Sequence, residues 1–288
     1  MDTRLAIDLW LETLQVEGRS PVTIRDYRTV TKRLPEVMPT LDPDAALALR
    51  RFLNEYREGR SPHTVRSTFA TWRAFLGWCV REGLLSESPL RGMRTPRVPE
   101  STKDTYTTGQ QKAMFAYLQG VRTPYGLRNH ALCAVLADSG LRAGEVARLT
   151  LDDIVDGALL VRRSKGGRPR VVPLGERSQR AVSRYLTYGR PRLSPKCEGM
   201  FLNQFGQAFS TWGIQHVLAA VSRGVGFRIS AHKFRHTAIT TWLREGAPME
   251  TVRRLAGHSG YQVLLSYAHL TDGDLREAQR RWSPLDRL

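Results

Sequence analysis

The sequence is poor in cysteine and acid, and it lacks any long apolar run. Three cysteines, Cys79, Cys133 and Cys197, are scattered and odd in number. They offer neither a disulfide framework nor a zinc-ligand spacing, and they fit a reducing, cytosolic compartment. No run of about 18 uncharged apolar residues exists, so no membrane-spanning segment is expected. The opening MDTRLAIDLWLETL has no basic segment ahead of an apolar block, so it does not read as a secretory signal. Asp and Glu number 27 against 44 Lys and Arg, a net charge of +17. That balance points to a polyanionic partner.

The basic excess is uneven. Residues 1–100 carry 16 Lys and Arg against 13 Asp and Glu, whereas residues 101–288 carry 28 against 14. Arginine greatly outnumbers lysine, and its planar fork suits phosphate, so nucleic acid is favoured over a merely soluble basic surface. An anionic membrane surface is disfavoured because no basic amphipathic helix stands alone. At 288 residues the chain exceeds one typical compact domain, and two are expected.

Residues 1–90 read as a helical domain. LAIDLWLETLQVEG places Leu5, Leu9, Leu11, Leu14 and Val16 near one face and stops at Gly18. SPVTIRDY at 20–27 and SPHTVRST at 61–68 share one helix-start chemistry, a Ser N-cap followed by Pro at the first helical position. The helix after the second start buries Val65, Phe69, Trp72, Leu76 and Val80. Arg66 and Arg73, seven apart, share another face and are candidates for a DNA backbone as well as for plain solvation. Residues 91–102 lie in a Pro- and Arg-rich stretch that reads as a linker and brings Arg94 and Arg97 as further DNA candidates. Residues 103–288 read as mostly helical. A helix opens at Thr107–Thr108, and two β-prone runs flank SKGG in GALLVRRSKGGRPRVVPL, a hairpin signal. The fold class is therefore mainly α: a helical domain followed by a mixed α/β domain with one small antiparallel sheet.

Four separated islands carry chemistry. In DSGLRAGEVARLTLDDI, Arg142 sits at the turn into a helix whose apolar face is Val146, Leu149 and Leu151, with Glu145 three residues on. Lys165 tops the SKGG hairpin, where the glycines let the backbone approach another surface. In SAHKFRHT, Ser230 caps a helix and His232 and Arg235 share a face near its positive end, which suits an anion. His232 and His236 also have i, i+4 metal-ligand spacing. Lys233 stands where a zinc-protease pattern requires Glu, and no clear third ligand follows, so neither metal nor any other cofactor is expected. In LAGHSGYQVLLSYAHL, His258 precedes two tyrosines, Tyr261 and Tyr267. Six positions apart on a helix, roughly 120° net, they cannot readily face one site. By spacing alone either phenol qualifies.

Taken in order, Arg142, Lys165, His232, Arg235, His258 and Tyr267 resemble the active-site set of the tyrosine recombinases, the lambda-integrase family, in a compact Xer-like two-domain form. The nine-residue step from the GH histidine to the tyrosine is also the family's, and it selects Tyr267. Two departures, Gly144 and the Phe234 that replaces the commoner Leu of H-x-L-R, remove no functional group. The resemblance covers essentially the whole chain. It implies a SAM-like core-binding domain ahead of a catalytic domain that ends in a tail from about residue 272, where Leu275, Ala278 and Trp282 make an amphipathic segment.

The implied activity is site-specific DNA recombination without metal or ATP, through a 3′-phosphotyrosyl bond at Tyr267 and a Holliday junction. Arg142 and Arg235 would hold the phosphate oxygens, His232 would move the nucleophile's proton, and His258 would bond the scissile phosphate. Lys165 would be the general acid and Glu145 an orienting residue behind them. His269 matches the family's Y-x-H, with packing as its expected role. The implied partners are a double-stranded recombination site, a homotetramer on DNA (monomer or weak dimer without it) and an accessory protein, in the cytoplasm on the nucleoid and away from membranes. The tail would dock on a neighbouring protomer or on its own domain. A non-catalytic DNA-binding regulator of this fold, and a type IB topoisomerase-like relaxing enzyme, are the alternatives; an RNA-binding role has only the charge behind it.

Overall fold

In the computed structural model, the described residues are 1–99, 104–162, 169–258, 260–261 and 264. The chain divides into two compact units, Met1–Thr102 and Lys103–Leu288.

The first unit is five helices: α1 (Thr3–Val16), α2 (Pro21–Thr31), α3 (Leu34–Val37), α4 (Ala46–Tyr56) and α5 (Pro62–Arg81). Helices α2 and α5 start alike. The hydroxyls of Ser20 and Ser61 accept the N–H groups of Thr23 and Thr64, and Pro21 and Pro62 occupy the first turn. The buried stripe of α1 is Thr3, Ala6, Ile7, Trp10, Leu11 and Leu14, a true 3.6-residue repeat. Leu5, Leu9 and Val16, expected on that face, are 54%, 38% and 90% exposed. Trp10 decides the rotation of the helix: its indole stacks on Tyr27 at 5.1 Å and meets Phe75 at 5.5 Å. Trp72 is fully buried, donates its indole N–H to the Val30 carbonyl at 3.2 Å, and stacks on Phe52 at 5.3 Å. Along α5, Val65, Phe69, Trp72 and Leu76 are buried as the spacing predicts, and Val80 is half-buried.

The second unit is built around α7 (Pro124–Ser139), whose Ala131–Leu136 segment is buried on every side; a helix apolar all round belongs at a core's centre. Packed on it are α6 (Thr108–Gly120), α9 (Glu176–Arg184) and α11 (Ala231–Arg244). Between them in sequence stand α8 (Ala143–Val146), the strands β1 (Ile154–Val155), β2 (Ala158–Val161) and β3 (Arg170–Pro173), and α10 (Thr211–Val225); α12 (Met249–Ala256) follows. The strands form an antiparallel sheet in the order β1-β2-β3, with Leu159 opposite Val172 and Val161 opposite Arg170. Leu159, Val161 and Val172 point into the core, whereas Val171 is 59% exposed. Arg170 therefore lies in phase with the inward face.

The predicted caps are present. Thr107 opens α6 in a reciprocal capping box with Gln110, and Ser230 opens α11 by accepting the Lys233 N–H. The helix expected after Arg142 is only the one turn of α8. Val146 and Leu149 are buried as anticipated, while Leu151 begins a separate 3-10 turn.

Candidate active site

Three chain reversals bring the islands together. Helix α7 ends at Gly140 in the left-handed conformation (φ 59°), a geometry glycine adopts without strain. The chain then passes Leu141 and places Arg142 at the start of α8. Helix α11 runs out from Ser230 with Arg235 on its buried side, and α12 stops at Gly257 (φ 64°) and delivers His258.

Arg235, 6% exposed, holds two of these reversals in place. Its Nη1 donates to the Gly140 carbonyl at 2.8 Å, and its Nη2 donates to the Ala256 carbonyl at 2.8 Å and to His258 Nε2 at 2.6 Å. A guanidinium only donates, so His258 Nε2 accepts, and that ring carries its proton on Nδ1.

Arg142 is 42% exposed at its side chain and tied behind by Glu145. The Glu145 carboxylate accepts the Arg142 backbone N–H at 2.9 Å and its Nη1 at 3.3 Å. The same carboxylate accepts two donors from Arg170, at 3.1 and 3.0 Å. Burial works to raise the Glu145 pKa; the hydrogen bonds from Arg170 and Arg142 outweigh it and hold the carboxyl below its ordinary value.

His232 is exposed at the first turn of α11, and its Nε2 lies 2.6 Å from Nε2 of His236. One imidazole must donate and the other accept. Around this helix start, Tyr106 donates its backbone N–H to Thr237 Oγ1 and accepts the Ser230 N–H at its phenolic oxygen, both at 2.9 Å. Lys233 pairs with Asp104 at 2.6 Å. Burial pushes the Tyr106 phenol up to about 12. A cavity of about 720 Å³ opens here, with Arg142, His232 and Arg235 on one side and Gln215, Ser222 and Arg228 on the other. Three guanidinium groups and an imidazole at one opening make a site for an anion.

Tyr261 is elsewhere engaged. Its O–H donates to Glu250 Oε2 at 2.6 Å, and this bond, followed by burial, raises its pKa. Glu250 is held at about 2, chiefly by Arg253, which also donates to the His258 carbonyl at 3.1 Å. Lys165, Tyr267, His269 and the tail lie outside the described residues. Arg66, Arg94 and Arg97 are exposed. Arg73, exposed like them, also donates to the Met93 carbonyl and, at 3.2 Å, to Thr95 Oγ1, and it lies over the Phe69 ring. Five donors on a planar head let it anchor the chain that leaves α5, a task invisible in a spacing of seven. Arg170 was missed altogether. Its signal was a charged residue in phase with the inward-facing Val172.

Known proteins fall into line with this geometry. The sequence profile of the phage integrase family matches residues 106–273. Tyrosine recombinase XerC of Oceanobacillus iheyensis is 30% identical, over 97% of this chain and 96% of the relative. Tyrosine recombinase XerD of Listeria innocua is 28% identical, over 96% and 98%. Among solved structures, the Tn1549 transposon integrase in complex with transposon right-end DNA superposes with a TM-score of 0.76 at 18% identity, covering 98% of this chain and 99% of that one.

Proposed function

This chain belongs to the phage integrase family, as a tyrosine recombinase of the Xer type, and on that premise we propose that Tyr267 is its nucleophile. It is a site-specific recombinase that cleaves and rejoins DNA. The observation that carries the residue assignment is the meeting of Arg142, His232 and Arg235, drawn from two separate motifs, at one opening, with His258 of a third motif hydrogen-bonded to Arg235. Tyr267 attacks the scissile phosphorus, and the bond to the 5′-oxygen breaks, leaving a 3′-phosphotyrosyl ester and a free 5′-hydroxyl. A phenol with pKa near 10 needs help to ionise at neutral pH, and His232 takes its proton. Arg142 and Arg235 stabilise charge on the non-bridging oxygens; one such donor is worth about 10²–10³ in rate. His258 adds a further hydrogen bond to the phosphate, and Lys165 protonates the departing oxygen. The ester conserves the energy of the broken bond, so a 5′-hydroxyl from a second duplex reverses the step, and two rounds pass through a Holliday junction.

Four protomers assemble on a double-stranded site. Residues 1–90 supply a second DNA-contacting unit, in which Arg66 meets the phosphates, and Arg94 and Arg97 do so in the linker at 91–102. The tail from about residue 272 links neighbouring protomers, an accessory protein sets which sites pair, and the enzyme works in the cytoplasm on the nucleoid. Duplexes from the DNA flanking the gene, nicked to trap cleavage and incubated with EDTA, test the chemistry on a denaturing gel. Wild type yields an SDS-resistant adduct and Tyr267→Phe yields none. An adduct that survives in Tyr267→Phe and vanishes in Tyr261→Phe would transfer the role to the other phenol.

A further inference from the structure

The catalytic reading leaves Arg170, a nearly buried charge in contact with Glu145, unused. Arg170 has a side chain 10% exposed, on the inward register of β3, where a strand of this sheet otherwise presents Val172 to the core. Each edge of its guanidinium is engaged. Nη1 and Nη2 grip the two oxygens of Glu145 at 3.1 and 3.0 Å, and Nε donates to the Leu255 carbonyl at 3.1 Å. The last carbonyls of a helix have no partner within it. In α12 two consecutive ones, Leu255 and Ala256, are taken by arginines from different elements, Arg170 and Arg235. Gly257 completes the fit: a Cβ there would come within 2.6 Å of the Arg170 guanidinium. The glycine before His258 is thus required by a close approach as well as by its positive φ.

We propose that Arg170 is a positioning residue for catalysis, a bracket that sets Arg142, through Glu145, against the α12 terminus that delivers His258. This inference rests on the assignment of Arg142 and His258 to the scissile phosphate. Arg170 touches no substrate. It fixes the two arms of the phosphate site relative to one another. Lys165 lies five residues earlier in the chain. The bracket needs a planar fork: a lysine at 170 keeps the charge but has a single nitrogen, unable to span both carboxylate oxygens and the Leu255 carbonyl.

The test compares Arg170→Lys and Arg170→Gln with wild type and Tyr267→Phe, in single-turnover cleavage of the nicked duplex at saturating protein. DNA binding is measured alongside by mobility shift. A misplacement of about 1 Å is worth roughly a hundredfold in rate, so Arg170→Lys is expected to cleave on the order of a hundredfold more slowly while binding DNA as wild type does. Cleavage at the wild-type rate, or a loss that merely tracks lost binding, overturns the bracket. Because Tyr267→Phe is read on the same gel, that failure is distinct from a wrong nucleophile.

A second readout needs no cleavage: thermal unfolding followed from about pH 2 to 7. In wild type the Glu145 pKa lies below its unfolded value, so its contribution is present above the ordinary carboxylate pKa and is lost on acidification. In Arg170→Gln, burial is left less opposed, so the acid-side loss shrinks or reverses. The paired variant Glu145→Gln/Arg170→Gln removes that dependence and does not restore the cleavage rate. An acid-side slope in Arg170→Gln equal to that of wild type overturns the link to Glu145.

Discussion

In residues 1–99 the buried polar side chains are threonines, Thr3, Thr31, Thr68 and Thr71, set among Trp10, Trp72, Phe69 and Phe75; in residues 104–258 the buried set takes in Arg128, Glu145, Asp153, Arg190, Arg235 and His258. Helices α1 and α5 close over aromatic rings and need little else. The second unit organises its loops with charge. Arg128 donates to the Leu202 carbonyl, Arg190 to those of Cys197 and Gly199, and Arg235 to those of Gly140 and Ala256. A buried guanidinium is tolerated where several acceptors replace its water. Backbone carbonyls at helix ends and turns are such acceptors. At Arg235 the same device leaves a guanidinium beside His258 and at the lining of the cavity that Arg142 and His232 share.

The sharpest way to break this contrast is Arg235→Gln. The amide cannot bridge Gly140, Ala256 and His258 at once, and one arm of the phosphate site goes with it. Single-turnover cleavage is expected to fall by about 10³-fold, at the upper end for loss of one transition-state donor. A drop below tenfold would show that Arg235 serves the fold alone. In the aromatic unit, Trp72→Ala should cost about 3–5 kcal/mol, the usual range for emptying a buried ring site. Denaturant unfolding of a two-unit chain need not be two-state, and the effect should fall on one transition. The transition belonging to residues 103–288 should stay in place; if both move together, the units do not unfold separately.

A smaller effect separates two arginines on α5. Both are exposed, but Arg73 also donates to Met93 and Thr95. If Arg66 meets one phosphate, Arg66→Ala should reduce the salt dependence of DNA binding by about one ion. Arg73→Ala should leave that slope as it is, since its head is spent on the departing chain. Equal slopes for both variants would remove Arg66 from the DNA-facing set.

These cases also show what could be read without a fold. Ser20, Ser61, Thr107 and Ser230 cap the helices they were expected to cap, because a cap is decided within four residues. The motifs around Arg142, His232 and Arg235 could be picked out because their order and spacing are local to the chain. The face of α1 was misread: Leu5 and Leu9 look as apolar as Trp10, and only Tyr27 and Phe75 decide between them. Arg170 stayed hidden for the same reason. Its partners are 25 and 85 residues away, and no local pattern ties a strand arginine to a helix end.

The smallest expected effect concerns the rival phenol. A nucleophilic tyrosine needs its ionisation eased, and Tyr261 has the reverse, a hydrogen bond to Glu250 that favours the protonated phenol. Arg253 grips the same carboxylate through Nε and Nη2, and its Nη1 reaches the His258 carbonyl. Tyr261 therefore braces the loop from outside. Tyr261→Phe keeps the ring and the Glu250–Arg253 pair and removes one exposed hydrogen bond, a small loss. The adduct should form in full, at a rate within about fivefold of wild type. A far larger loss, with the adduct still mapped to Tyr267, would mean that the Glu250–Arg253 pair alone cannot hold the His258 carbonyl. Loop placement near His258 would then depend on the same kind of saturated charge network that holds Glu145, and the contrast between aromatic and charged packing would extend to the unit's outer surface.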